Sequence, residues 1–258
     1  MLSARIRATA KAVLPVRVRR WVRAQRRRWT VWPPVGFVRF GSLRRPQPIS
    51  RVFGLDRGLP IDRYYIENFL GQYAEDIQGH VLEIGEDMYT RRFGDGRVVR
   101  SDVLHVQEGN PKATIVADLT CADSIWSDTF DCIIFTQTLQ CIYDTRAAIR
   151  HLHRILKPGG VLLATFPGIS QISRYDMDRW GDYWRFTTLS ARRLFEEVFP
   201  PGNVTVQAYG NVLAAVAFLH GLAAEELRRQ ELDYRDPDYE LAITVRGVKP
   251  RECCAGDV

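Results

Sequence analysis

From Ile61 onward the apolar positions recur in two rhythms. In I-D-R-Y-Y-I-E-N-F-L, Ile61, Tyr65, Ile66, Phe69 and Leu70 fall at the intervals of a helix with one buried face. Short apolar runs follow, each closed by a glycine or polar turn: H-V-L-E-I-G, R-V-V-R-S-D, A-T-I-V-A-D, F-D-C-I-I-F-T and G-V-L-L-A-T-F-P. Short, nearly continuous apolar runs are those of strands covered on both faces. Between the fourth and fifth runs, A-A-I-R-H-L-H-R-I-L-K-P-G-G predicts a helix with Ile149, Leu152, Ile155 and Leu156 on one face and P-G-G to stop it. Beyond Pro167 the pattern predicts an aromatic-rich insert and a helix from Ser190 to Phe199. A strand in V-T-V-Q-A-Y, an apolar helix and a last strand in E-L-A-I-T-V-R-G-V follow. Strands alternating with helices predict an α/β fold, a mostly parallel sheet with helices on both faces.

Before this region the pattern is of another kind. P-V-R-V-R-R-W-V-R-A-Q-R-R-R-W places Val18, Trp21, Val22, Gln25 and Trp29 on one helical stripe with arginines around it, and Pro33, Pro34, Pro46 and Pro48 then break regular structure. The expected organisation is a basic N-terminal arm and linker at residues 1–50, a globular domain at 51–250 and a tail at 251–258. Charge sharpens the division. The net +6 hides fourteen Lys/Arg and no acid before Asp56, which leaves 22 basic against 30 acidic residues in the rest. Such an arm suits a solvated tail, a basic amphipathic helix on anionic lipid or contact with nucleic acid. An Arg-rich, acid-free start also resembles a mitochondrial presequence, which the tryptophans and later prolines fit poorly. The acidic balance of the body argues against nucleic acid, since phosphate binding wants a basic face. Peripheral contact with anionic membrane through residues 1–30 is the expectation carried forward.

No apolar run reaches the roughly 18 residues that read as a membrane span. The nearest, Val212 to Ala224, is interrupted by His220 and Gly221 and reads as a buried helix. The five cysteines (Cys121, Cys132, Cys141, Cys253 and Cys254) form no C-x-x-C pair, so a reduced, cytoplasmic protein without structural zinc is expected.

In open α/β sheets ligands sit outside the carboxyl ends of the strands, so the residues at those ends carry the functional information. They read Glu83-Ile84-Gly85 after the first strand, Asp102 after the second, Asp118 after the third and Thr136-Gln137 after the fourth. Gly85 lets backbone approach a ligand without a Cβ in the way. An acid after the second strand can accept from ribose hydroxyls, and Asp118 from an exocyclic amine. Together these groups describe an adenosine pocket.

From about Pro60 to Val248 the chain resembles a class I S-adenosylmethionine-dependent methyltransferase of the saccharide and small-molecule type. The motifs that carry the resemblance are V-L-E-I-G (81–85), R-V-V-R-S-D-V (97–103), V-A-D-L-T (116–120), F-D-C-I-I-F-T-Q-T-L-Q-C-I-Y-D (130–144), R-I-L-K-P-G-G-V-L-L-A-T-F-P (154–167) and W-G-D-Y-W-R-F-T (180–187). The resemblance implies a Rossmann-like, seven-stranded, mostly parallel sheet with a reversed last hairpin, and S-adenosylmethionine as cofactor. It puts Glu83 and Gly85 beside the methionine end, Asp102 and the adjoining Val103 on the ribose, and Asp118 and Leu119 about the adenine. Thr136 and Gln137 would floor the site near the methyl group. Glu83 read alone is equally a helix cap, and Asp102 a strand terminator.

The sequence departs from the family at its glycine-rich turn, where Gly85-Glu86-Asp87-Met88-Tyr89 stands for G-x-G-x-G and the following helix must shorten to about Tyr89 to Phe93. The cofactor has no pyrophosphate to cradle, and an acid such as Asp87 can meet its ammonium or sulfonium charge. A degenerate domain that binds a partner without catalysis is the alternative. The insert S-R-Y-D-M-D-R-W-G-D-Y-W-R-F-T (173–187) combines aromatic faces with acids, which suits a sugar or another hydroxylated acceptor. Asp176, Asp178 and Asp182 are possible bases, with Asp178 and Tyr183 taken as the catalytic pair. His105 reaches the pocket rim as a lesser candidate, and Tyr64 and Tyr65 are expected to close over the cofactor. T-Q-T-L replaces the D-P-P-Y or N-P-P-Y signature of amino methyltransferases, which weighs against N-methylation of nucleobases or of glutamine, and the insert points to O-methylation.

Overall fold

The computed structural model describes residues 15–18, 20–22, 25 and 32–251. The chain divides into two units, Met1–Pro46 and Gln47–Val258. In the first, residues 16–18, 20–22 and 25 are helical, and Val18, Trp21 and Val22 of the expected stripe are exposed. Trp29, like Cys253 and Cys254, lies outside the described residues.

The second unit opens with α1 (Ile61–Gln72), whose five apolar positions at helical spacing are all buried. Then come β1 (Gly79–Ile84), the short α2 (Met88–Phe93), β2 (Val98–His105), β3 (Ile115–Val116) and β4 (Phe130–Thr136). α3 (Thr145–Ile155) starts where the Asp144 side chain accepts a hydrogen bond from Ala147 N, and runs straight into β5 (Leu156–Pro167). The helix therefore ends at Ile155, before the P-G-G that the sequence suggests as its stop. After β5 come α4 (Arg174–Met177) and α5 (Thr188–Glu196). The start of α5 is set by Thr187, which caps it by accepting from Ser190 N, two residues ahead of the expected boundary. β6 (Val204–Tyr209), α6 (Val212–Leu219), α7 (Arg229–Asp233) and β7 (Ala242–Val248) complete the order.

The seven strands form one sheet in the order β3-β2-β1-β4-β5-β7-β6. β7 runs antiparallel to both β5 and β6, and the other pairings are parallel. This is the Rossmann-like sheet with a reversed final hairpin. Successive strand residues feed two cores. Leu82, Ile133 and Leu162 pack on the side of α3 and α5, while Val81, Cys132, Ile134 and Leu163 pack on the side of α1 and α6. Continuous apolar runs follow from this, because both faces are covered.

One strand boundary alters the site. β2 does not stop at Asp102 but runs three residues further, with Ile84 beside Leu104 and His105 beside Val116.

Candidate active site

A cleft of about 860 Å³ opens at the carboxyl ends of β1 to β4. Gly85, His105, Asp118 and Thr136 line it from the sheet, and Asp176, Trp180 and Tyr183 line it from the insert after β5. Its volume is that of a small-molecule site.

Gly85 sits at φ +81°, and a Cβ built there would meet no protein atom within 4 Å. The backbone is thus bare toward open space. The turn is braced: Gly85 N donates to Leu104 O at 2.9 Å, and Asn110 Nδ2 donates to Gly85 O at 2.7 Å. The two acids of the turn are paired, Glu86 with Lys112 and Asp87, which stands at a glycine position, with Arg91. Asp118 is exposed in the cleft, and Thr120 N and Oγ1 both donate to its Oδ1, at 2.8 and 2.9 Å. Leu119 is buried at the same wall. At the floor Thr136 ends β4, and Gln137 holds a left-handed φ of +46° while its N donates to Thr165 O at 2.9 Å.

Seven residues stand elsewhere than the sequence suggests. Glu83 is buried and points its carboxylate at the start of α2, accepting from Tyr89 N (3.0 Å), Thr90 N (2.7 Å) and Thr90 Oγ1 (2.7 Å). It is a helix cap. Burial pushes its carboxyl up, and these bonds offset the shift only in part. Asp87 precedes α2 and is not among the residues lining the cleft. Asp102 is buried in mid-strand beside Leu82, bound to His80 and Arg100, with Val103 buried next to it. Asp178 is exposed at the end of α4, outside the cleft lining. Tyr64 and Tyr65 do not close over the cleft either: their hydroxyls donate to Asp233 and to Leu232 O.

The insert is held by an ion pair between the buried Asp182 and the half-buried Arg185. Asp182 accepts from Arg185 and from Ser173 N, and Arg185 also donates to Gln171 O. Burial alone would raise the Asp182 carboxyl, but the guanidinium and the amide outweigh it and hold it low. Asp182 is therefore a brace for the wall, and Asp176 is the carboxylate that reaches the cleft. Trp180 packs edge-on against Tyr175 and His105, with centroids 5.8 and 5.7 Å apart, and Tyr183 packs edge-on against Tyr143 at 5.4 Å. Cys141 also lines the cleft; burial pushes its thiol up to about 12, so it is a neutral wall group.

A family model described as a methyltransferase domain matches residues 68–200, from within α1 to beyond α5, just over half of the chain. The chain belongs to the methyltransferase-domain family. No curated protein matches the sequence. Among solved structures, a SAM-dependent methyltransferase from Archaeoglobus fulgidus is 11% identical, with 72% of this chain and 94% of that chain covered and a TM-score of 0.48. An S-adenosylmethionine-dependent methyltransferase from Mesorhizobium loti is 16% identical, covering 76% and 100%, at 0.48. The N-methyltransferase NodS from Bradyrhizobium japonicum is 17% identical, covering 74% and 98%, at 0.43. Similarity this distant identifies no acceptor.

The cofactor of this methyltransferase domain is S-adenosylmethionine, and the cleft fits it on three observations. The Cβ-free approach at Gly85 opens onto space with no protein atom in it, the cleft has room for a nucleoside with a side chain, and Asp118 has an oxygen without a hydrogen-bond partner among the described residues. No carboxylate of β2 joins them.

Proposed function

We propose that the domain methylates an oxygen of a hydroxylated small molecule or saccharide, a glycolipid headgroup included. The observation that carries this reading is the wall of Asp176, Trp180 and Tyr183 lining the same cleft as Gly85 and Asp118. S-adenosylmethionine, when bound, supplies a methyl carbon made electrophilic by the neighbouring sulfonium. The protein then has to align a nucleophile and, for a hydroxyl, take its proton. Gly85 admits the cofactor close to backbone, and Asp118 and Leu119 suit the adenine. The Asp176 carboxylate makes no hydrogen bond among the described residues, so it is free to accept the hydroxyl proton. The Tyr183 hydroxyl is free to hold the acceptor oxygen, and the rings of Trp180, Tyr183 and Tyr143 suit the faces of a sugar or other ring.

Calorimetry with S-adenosylhomocysteine, followed by transfer of labelled methyl to a panel of glycosides, glycolipids and amines, tests this. Binding with transfer to hydroxyls is expected. Transfer to amines alone would refute the O-directed reading, and binding without transfer to any acceptor would favour the non-catalytic alternative that the altered loop raises.

We further propose that the arm meets anionic membrane. Trp21, Trp32 and Phe40 are exposed, Trp32 at 91%, and Arg17, Arg20, Arg39, Arg44 and Arg45 accompany them with no acid before Asp56. Each such cation is worth about 1 kcal/mol near a negative surface. Co-sedimentation with phosphatidylserine vesicles that falls with salt and with deletion of residues 1–30 is expected. Equal binding to neutral vesicles would overturn the electrostatic account.

A further inference from the structure

Nucleotide-binding α/β sheets meet the ribose with an acid at the end of the second strand, and here that place holds a histidine. Ile84 lies beside Leu104, Gly85 N donates to Leu104 O, and Ala117 N donates to His105 O at 3.0 Å. His105 is thereby fixed between the Gly85 turn and the strand leading to Asp118, and it lines the cleft. The only acid of β2, Asp102, is buried three residues earlier and bound to His80. The other carboxylates of the cleft are Asp118, Asp144 and Asp176, all on other segments, and Asp144 caps α3.

The ring of His105 is set from two sides. Its Nδ1 lies 2.8 Å from Gln107 O and 3.2 Å from Gln107 N, and Trp180 packs edge-on against it. Nδ1 can donate to the carbonyl or accept from the amide, and in either tautomer both bonds are local, so Nε2 is the ring nitrogen left for a ligand. Nε2 has no partner among the described residues.

We infer that His105 recognises the ribose of the cofactor, its Nε2 sharing a hydrogen bond with a ribose hydroxyl where related sheets use a carboxylate. This rests on the cofactor reading above. Unlike a carboxylate, the imidazole adds no negative charge to the ribose subsite. The histidine also joins the subsite to the acceptor wall, because the ring that holds the ribose packs on Trp180.

The test compares S-adenosylhomocysteine with its 2′,3′-dideoxy counterpart by calorimetry. Wild-type protein should bind the hydroxylated probe roughly five- to tenfold more tightly, the worth of one net hydrogen bond. His105→Ala should lose most of that preference while binding the dideoxy probe within about twofold of wild type. His105→Phe keeps an aromatic ring against Trp180 but makes no hydrogen bond, and should lose the preference equally; His105→Asp, which accepts, should restore it. A preference retained in the alanine and phenylalanine variants would overturn the assignment. So would equal weakening of both probes, which would make His105 a packing partner of Trp180 only. Tight wild-type binding without preference also refutes this proposal but leaves the cofactor reading standing. Failure of the wild type to bind either probe removes both.

Discussion

His80 near the start of β1 donates through Nε2 to Asp102 Oδ2 at 2.6 Å, a bond that joins two strands inside the sheet. The His80 ring also packs on Phe130, with centroids 4.7 Å apart, and Arg100 lies 3.1 Å from the same carboxylate. Asp102 therefore belongs to the fold. Asp102→Ala should cost about 1–3 kcal/mol of stability, the penalty for leaving a buried partner unsatisfied, and should leave S-adenosylhomocysteine affinity unchanged. Burial alone would raise the Asp102 carboxyl, but His80 and Arg100 outweigh it and hold it below the ordinary range. Its stabilising contribution is thus complete above the unfolded value near pH 4 and is lost as pH falls through the lower folded value. Urea unfolding of wild type and variant from pH 7 to pH 3 should show the two curves converging; a large loss of cofactor affinity in a stable variant would contradict this role.

Glu83 titrates in the opposite sense. Burial raises its carboxyl despite the hydrogen bonds from Tyr89 and Thr90. A raised folded value favours the protonated acid, so its contribution is complete below the unfolded value near pH 4.3 and declines as pH rises through the folded value. The carboxylate still supplies the start of α2 with three hydrogen bonds. Glu83→Ala should cost about 1–3 kcal/mol and release the Tyr89 and Thr90 amides to hydrogen exchange. Unchanged protection of those two amides would show that α2 does not depend on this cap.

The strands were legible because each apolar run must satisfy two cores, as Val81 and Leu82 or Ile133 and Ile134 do. Gly85 and Asp118 were legible because a turn residue directly follows such a run. Asp102 was misread for a physical reason. A charge usually marks the end of a buried strand, but V-L-H continues beyond it, and the partner that makes the buried charge tolerable, His80, is 22 residues away in sequence. The choice between Asp176 and Asp178 was equally hidden. The two are separated by half a helical turn, and only the path of α4 decides which one reaches the cleft.

Gly85 and Gly96 form a matched pair. Both have left-handed φ, +81° and +74°, and at neither would a Cβ meet an atom within 4 Å. Alanine at either site should cost about 1–2 kcal/mol through backbone strain. Gly85 lines the cleft and Gly96 does not. Thermal unfolding should therefore show similar losses for Gly85→Ala and Gly96→Ala, while calorimetry shows weakened S-adenosylhomocysteine binding for Gly85→Ala alone. Equal affinities in both variants would mean that the cofactor does not approach the Gly85 backbone.

Three substitutions in the insert separate the groups that act on the acceptor from those that do not. Asp176 and Tyr183 line the cleft, and Asp178 is exposed outside it. A group that takes the hydroxyl proton affects transfer and leaves adenosine binding alone, so its loss lowers kcat with the cofactor affinity preserved. Asp176→Asn should slow transfer by about 10²–10⁴-fold, the range for a general base. Tyr183→Phe should slow it by roughly tenfold, as one lost hydrogen bond to the acceptor requires. Asp178→Asn should turn over as wild type does. The measurement is methyl transfer to whichever hydroxylated acceptor the panel identifies, with S-adenosylhomocysteine affinity as the control for an intact site. A slow Asp178→Asn beside a normal Asp176→Asn would move the base to the other end of α4 and require the insert to rearrange when the acceptor binds. Normal rates in all three would reduce the segment to a wall that shapes the cleft and leaves the proton to another group.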